Sequence, residues 1–302
     1  MMAGLELWAV AALITALLIA AFQLLSQYFK LQALPYLFWA RCCAVILTFP
    51  VLFLLPIPQS PKYYIYTLLS SVIFAYVDLF SIGLAAKIGA GVVSRLTPLG
   101  VIVTFVLWTA ITPSLFNEYL STPIQSIGIM AAISLGVYFT MRLKKCDVSW
   151  STLKIMSTPI LLAGLAIVFS KTAMNNAGNL HSGVFYYPFI QGIVVVGCYG
   201  TLLRIPALRQ RIPTFDLEGD LFDRKTITAG LISGVVLVVA TVAKYYGISL
   251  AVNPAYVSML ALTAPLWVLL IYRIIGYKDE GDIWSGLGIV AAAMMLIYFT
   301  SL

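Results

Sequence analysis

The sequence predicts an all-α integral membrane protein with ten transmembrane helices, arranged as two inverted five-helix repeats. Three observations lead to this prediction: the composition, the spacing of apolar runs, and an internal similarity between the two halves. Of the 302 residues, 62% are hydrophobic and only 10% are charged, and the mean hydropathy is +1.00. Soluble domains carry about 25% charged residues, so this chain cannot cover a surface that faces water.

The apolar runs have the length that a membrane crossing requires. A helix needs about 20 apolar residues to cross a hydrocarbon core of about 30 Å. A transmembrane β-barrel would instead alternate over about 10 residues, and no such alternation is present. The ten predicted spans run over residues 6–28, 35–55, 63–84, 90–111, 123–142, 152–171, 184–203, 227–249, 254–275 and 283–301.

The connections between the spans agree with this assignment. Most are short and contain Pro, Gly or Asn, and only residues 204–225 form a long connection, which we expect to be a surface loop. The first span is too long for a secretory signal peptide and lacks a basic leading segment. We therefore expect it to remain in the membrane.

The basic residues are distributed unequally between the two sets of loops. Nearly all of those outside the spans fall on one face, whereas the other face receives only Lys62 and Lys171. Because cytoplasmic loops are enriched in Lys and Arg, this count places the basic face in the cytoplasm and both termini outside. We expect a multi-pass protein of the bacterial inner (cytoplasmic) membrane.

The two halves of the chain resemble each other. Residues 249–276 are similar to residues 83–111, and each stretch carries a proline within a predicted helix, Pro265 and Pro98. In each half an acidic turn and a glycine-bearing last span follow. Since five spans are an odd number, the second half must be inverted relative to the first, which is an architecture of secondary transporters. The predicted repeats cover residues 1–146 and 147–302.

These motifs resemble the EamA-type members of the drug/metabolite transporter superfamily. The first helix ends at Lys30, Pro35 follows, and Arg41 lies early in the second helix; the acidic turns carry Glu118 and Glu280. The similarity extends over nearly the whole chain. It implies the ten-helix fold of a transporter and carries almost no information on the substrate.

Two features depart from the family pattern. The glutamate of each acidic turn is usually followed by a basic residue, whereas Tyr119 and Gly281 follow here. The resemblance also implies that both termini lie in the cytoplasm, which is opposite to the orientation that the loop charges predict. The orientation therefore stays open at this point.

Four ionisable residues lie within predicted spans. These are Arg41, Asp78, Arg95 and Lys244. Such residues cost about 2.5–3.5 kcal/mol on insertion scales and usually face the interior of the bundle. With a rise of about 1.5 Å per residue, the first three should lie at similar depths, and Lys244 about 15 Å away along the membrane normal.

Each of these residues has a structural and a functional interpretation. Asp78 could pair with Arg41 or Arg95 and staple helices together, or the arginines could extend to the headgroups; alternatively, Asp78 binds protons or substrate in a central cavity. Lys244 and its neighbour Tyr245 could belong to an interfacial belt, or could bind a carboxylate or phosphate of the substrate. A cavity with more positive than negative charge favours an anionic or zwitterionic metabolite.

Neutral polar residues and prolines provide further candidates. Gln23 and Gln27 lie on one face of the first helix, where they could form bonds between helices or line a binding cavity. Pro98 and Pro265 each remove a backbone hydrogen bond. The resulting kinks could serve gating in an alternating-access cycle, or could be structural only.

The sequence contains few residues or motifs that would indicate other functions. It has one histidine, His181, and four cysteines without a CxxC spacing, so we expect neither a metal site nor another cofactor. Catalytic motifs are absent, and scattered basic residues do not indicate nucleic-acid binding. We therefore expect not an enzyme but a secondary active transporter, coupled to protons or to exchange. The alternatives are a flippase for a lipid-linked or amphiphilic solute, and a non-transporting scaffold or receptor.

Overall fold

The computed structural model describes residues 2–29, 32–88, 96, 98–143, 150–205, 220–275 and 282–301. Within these ranges the protein is all-helical and contains no strand. Its helices are α1 (Met2–Phe29), α2 (Ala33–Thr48), α3 (Val51–Leu54), α4 (Pro61–Ile88), α5 (Leu99–Ile111), α6 (Pro113–Ser121), α7 (Pro123–Arg142), α8 (Trp150–Asn175), α9 (Leu180–Arg204), α10 (Arg224–Leu250), α11 (Pro254–Ala261), α12 (Ala264–Ile275) and α13 (Ile283–Ser301).

The helices agree with the predicted membrane spans. In the described part of the chain, nine segments are long and apolar enough to cross a membrane, and there are ten if the bent pair α5–α6 is one span. Helices α5 and α6 meet at 101°. The fold is therefore that of a multi-pass integral membrane protein.

Helix α6 corrects one detail of the sequence analysis. Its residues were expected to form a loop because they include Pro, Asn and Ser, but Pro113 occupies the first turn, where a helix tolerates it. Leu115 is buried, and the ring of Tyr119 stacks on Phe105 of α5 with centroids 5.7 Å apart. A short helix with one packed face therefore lies across the end of the bundle.

Side-chain caps fix the ends of several helices. The Asp223 carboxylate accepts a hydrogen bond from the Thr226 backbone N–H at the start of α10, and this bond holds the pKa of Asp223 below its usual value. Asn253 accepts from the Ala255 N–H at the start of α11. The ninth span is divided into α11 and α12, and Pro265, which cannot donate a backbone hydrogen bond, is the second residue of α12.

The bundle is built from contacts between helices that are distant in the sequence. Helix α10 packs against α1 and α2, and α4 packs against α8 and α9. The pairs α2–α9 and α7–α13 complete the arrangement, and α1 also contacts α11 and α12. The largest group of buried residues includes Tyr63, Tyr187, Tyr245 and Tyr256.

Glycines permit the closest of these helix contacts. A β-carbon at Gly234 of α10 would lie 2.7 Å from the Ala40 carbonyl oxygen of α2 and would overlap Cys43. Small residues are the usual means by which transmembrane helices approach each other. Gly197 of α9 differs, because a β-carbon there would have no neighbour within 4 Å.

We predict that Gly234→Ala lowers the thermal stability of the purified protein, because α2 and α10 must separate to admit the methyl group. Replacing glycine by alanine within a helix otherwise gains about 1 kcal/mol in helix propensity. The matched variant Gly197→Ala should therefore be neutral or slightly stabilising. Melting temperatures of both variants in detergent check this, and equal shifts for both would contradict the close packing of α2 against α10.

Candidate functional site

A salt bridge inside the bundle joins α2 to α4. The Arg41 Nη2 atom lies 2.7 Å from Asp78 Oδ2, and it is the one salt bridge in the part of the chain that the structure describes. The Arg41 side chain is 8% exposed and that of Asp78 is 32% exposed. The predicted pairing of Asp78 with Arg41 is therefore present, and the carboxylate keeps access to its surroundings.

Lys244 belongs to the same group of charges. Its ammonium lies 4.9 Å from the ring centroid of Phe74, which precedes Asp78 by about one helical turn, and it interacts electrostatically with Asp78 and Arg41. The predicted separation of Lys244 from Asp78 is therefore wrong. Helices α4 and α10 have 28 and 27 residues, so counting from nominal membrane ends misplaces their side chains.

We call Arg41, Asp78 and Lys244 the central charge cluster. Within the described ranges, Lys244 has no hydrogen-bond acceptor, and its ammonium faces the rings of Phe74 and Tyr245 instead. The Arg41 Nε atom is buried and has no hydrogen-bond partner. Two cations thus keep unused donors beside one carboxylate, and the formal charge of the cluster is positive.

A tyrosine layer packs beside the central charge cluster. The hydroxyl of Tyr187 lies 2.5 Å from Ser70 Oγ and 2.7 Å from Ser170 Oγ, and its ring centroid is 3.9 Å from that of Tyr245. Gln191 donates a hydrogen bond of 3.3 Å to the Tyr245 hydroxyl. We define the tyrosine layer as these five residues, which connect α4, α8, α9 and α10.

The tyrosine layer is almost fully closed to solvent. Tyr187 and Ser70 have 0% exposure, Tyr245 has 2% and Gln191 has 3%. Electrostatic interactions connect Arg41 with Tyr187 and Tyr245. The layer is therefore a buried polar wall beside the charge cluster. Tyr245, one of the predicted site residues, belongs to this wall.

Lys171 was assigned to an external loop from the sequence, and this assignment is wrong. Helix α8 continues to Asn175, beyond the predicted end of the span, and Lys171 is only 5% exposed. Its Nζ donates a 3.0 Å hydrogen bond to the Ser249 carbonyl in the last turn of α10. A cation is favourable at a helix C-terminus, so Lys171 joins α8 to α10.

The remaining predicted site residues are placed as follows. Gln23 is exposed on α1, and the side chain of Gln27 lies outside the described residues, as does Arg95. Pro98 forms the N-cap of α5, and Pro265 follows the break between α11 and α12. In the part of the chain that the structure describes, no hydrogen bond or salt bridge joins Gln23 or either proline to the central charge cluster.

Sequence reasoning missed most of the tyrosine layer. Tyr187 and Gln191 are four residues apart on α9, and therefore on one face of the helix. Ser70 and Ser170 bond to Tyr187 from two other helices. A search for neutral polar residues at helical spacing would have identified Gln191. The serine partners of Tyr187 could not be found in this way, because they depend on tertiary contacts.

The chemistry of the cluster suits recognition of charge. Guanidinium and ammonium groups bind carboxylate or phosphate, and a partly exposed carboxylate can bind an ammonium group or a proton. Among the described residues, no group of three His, Cys, Asp or Glu side chains could hold a metal ion. Comparison of the chain with protein-family models and with curated protein sequences finds no match in either.

We predict that Asp78→Leu destabilises the protein more than the double variant Arg41→Met/Asp78→Leu. The single change leaves the buried Arg41 without its counter-charge, which costs about 3–5 kcal/mol for a fully buried pair; the exposure of Asp78 reduces this figure. The double change removes both charges. A double-mutant cycle of melting temperatures, with Arg41→Met as the second single variant, measures the coupling. Additive effects would show that the two side chains do not stabilise each other.

Proposed function

We propose that the protein is a secondary active transporter that moves a small anionic or zwitterionic metabolite across the membrane by alternating access, coupled to protons or to exchange. The observation that carries this proposal is the central charge cluster within the membrane-spanning bundle. Ionisable residues inside a membrane are costly, and they commonly mark substrate and ion pathways. Here two cations with unused donors lie beside a partly exposed carboxylate.

The helix contacts support an inverted-repeat arrangement of residues 1–146 and 147–302. If the five spans of each half correspond in order, α1, α2, α4, α5 and α7 match α8, α9, α10, the α11–α12 pair and α13. Under this exchange the contact α1–α10 becomes α8–α4, and α2–α10 becomes α9–α4; all four contacts are present. The pairs α2–α9 and α7–α13 map onto themselves.

The same correspondence relates the charges. Asp78 lies on α4, the third span of the first half, and Lys244 lies on α10, the third span of the second half. Arg41 lies on α2, which contacts both of these helices. Transporters built from inverted repeats place their substrate site at the repeat interface near the midplane. In the proposed arrangement, the opposite charges of Asp78 and Lys244 meet at the interface between the two repeats.

The cluster suggests how binding and coupling proceed. A negative group of the substrate binds Lys244 and the unused donor of Arg41, and thereby competes with Asp78 for Arg41. Asp78 released from Arg41 then takes a proton, or binds an ammonium group of a zwitterionic substrate. The resemblance of the sequence to EamA-type transporters, and the expected location in a bacterial cytoplasmic membrane, belong to the same proposal.

We predict that Lys244→Gln lowers transport of anionic and zwitterionic solutes by about tenfold, which corresponds to the loss of one hydrogen bond to a charged group. Lys244→Arg should retain more activity because it keeps the charge. Proteoliposomes loaded with a pH-sensitive dye, and given glutamate, malate or glucose outside, measure solute-driven proton flux. Glucose serves as the neutral comparison.

The matched control is Arg204→Gln, which removes an exposed cation in the last turn of α9 that makes no salt bridge with Asp78. It should transport at the wild-type rate. Proton flux driven by glucose as strongly as by glutamate or malate would contradict the proposal, as would equal rates for Lys244→Gln and Lys244→Arg.

A further inference from the structure

A second site lies on the outer surface of the bundle, away from the central charge cluster. A groove of about 550 Å³ runs between α1, α12 and α13. Its walls are formed mainly by aliphatic side chains, including Leu13, Leu266, Val290 and Ile297. Along α13 the groove extends from Gly286 to Ile297, and therefore over about 16 Å at 1.5 Å per residue.

One end of this groove is polar. Arg273, in the last turn of α12, and Asp282, just before α13, line it there. Asp282 is already engaged as the cap of α13, since its carboxylate accepts hydrogen bonds from the backbone N–H groups of Trp284 and Ser285 and from the Ser285 hydroxyl. These bonds, chiefly that from the Ser285 hydroxyl, hold the pKa of Asp282 below its usual value.

Arg273 keeps its donors free. It is exposed, and within the described ranges it has neither a hydrogen bond nor a carboxylate within salt-bridge distance. Its place at the end of a membrane-spanning helix puts the guanidinium at headgroup depth, where long basic side chains commonly bind anionic lipid headgroups. The end of the groove therefore offers a cation that no described carboxylate pairs with, although Asp282 lies at the same end.

Trp267, which lines the same groove, carries a second unused donor. The indole Nε1 of Trp267 is buried and has no hydrogen-bond partner, and Trp267 lines the groove. It precedes Arg273 by six residues, or about 9 Å along α12. A buried N–H group without an acceptor is costly, and the apolar neighbours on α12 and α13 supply none.

We propose that this groove binds one anionic diacyl phospholipid, with the phosphate at Arg273, an acyl chain along α13, and an ester carbonyl at the Trp267 indole N–H, which the indole turns toward the groove to expose. The order of groups in the groove, from cation to isolated donor to aliphatic walls, matches the order of phosphate, ester and acyl chain in the lipid. The site is independent of the proposed transport function.

The test is native mass spectrometry of the full-length protein, purified in detergent and equilibrated with equal amounts of phosphatidylglycerol and phosphatidylcholine. We expect the wild type to retain one phosphatidylglycerol molecule in preference to phosphatidylcholine. Arg273→Gln should reduce this preference by about tenfold, as expected for the loss of a hydrogen bond between charged groups. Arg204→Gln, which removes an exposed cation outside the groove, should leave the preference unchanged.

Two further variants test the rest of the site. Trp267→Phe should weaken retention of ester-linked phosphatidylglycerol but not of its ether-linked analogue, which lacks the carbonyl acceptor. Val290→Trp should fill the groove and abolish retention of both. Equal retention of the two headgroups, or equal effects of Arg273→Gln and Arg204→Gln, would overturn the proposal. A dimer mass lost in Val290→Trp, without bound lipid, would assign the groove to a second copy instead.

Discussion

The cost of placing charge inside a membrane is the constraint on which this structure depends. Arg41, Asp78 and Lys244 lie in membrane-spanning helices, where each charge would be expensive if it faced lipid. The 2.7 Å salt bridge between Arg41 and Asp78 compensates two of them. Lys244 faces aromatic rings instead, which attract a cation but leave its hydrogen-bond donors unused. The bundle is thus arranged around a group of charges that it satisfies only in part.

The surrounding helices fix these charges in place while leaving limited access to them. Gly234 allows α10 to approach α2, so the helices that carry Lys244 and Arg41 lie close together. The tyrosine layer closes one side of the cluster with a network of hydroxyl and amide hydrogen bonds. Asp78 nevertheless remains 32% exposed. A purely structural salt bridge has no need of such exposure, whereas a site that exchanges partners requires it.

Hydropathy alone predicts most of the fold, because each span must satisfy its backbone within a helix. The prediction fails where contacts with other helices determine the local structure. Helix α6 forms at a sequence that reads as a loop, since Leu115 and Tyr119 find packing partners on the bundle. Lys171 lies inside the bundle rather than in a loop, because the last turn of α10 supplies an acceptor for it.

The site was predictable to the extent that charge is conspicuous in an apolar sequence. Depth along the helices predicted the pairing of Asp78 with Arg41 but placed Lys244 too far away. Helices α4 and α10 have 28 and 27 residues, so counts from nominal membrane ends misplace their side chains. Gln191 and Tyr187 were not predicted, because a neutral side chain in the membrane does not carry the free-energy cost of a charged one. The unpaired Trp267 indole could not be foreseen at all, because it depends on which neighbours fail to offer an acceptor.

The central claim is that Asp78 leaves Arg41 and takes a proton during transport, and Asp78→Asn tests this most directly. Proteoliposomes containing the variant should lose the accumulation of solute that a pH gradient drives, because the amide cannot carry a proton. They should retain counterflow exchange of the same labelled solute, since the binding groups Arg41 and Lys244 are intact. Gradient-driven accumulation by Asp78→Asn at the wild-type level would contradict the account and leave the salt bridge a structural link only.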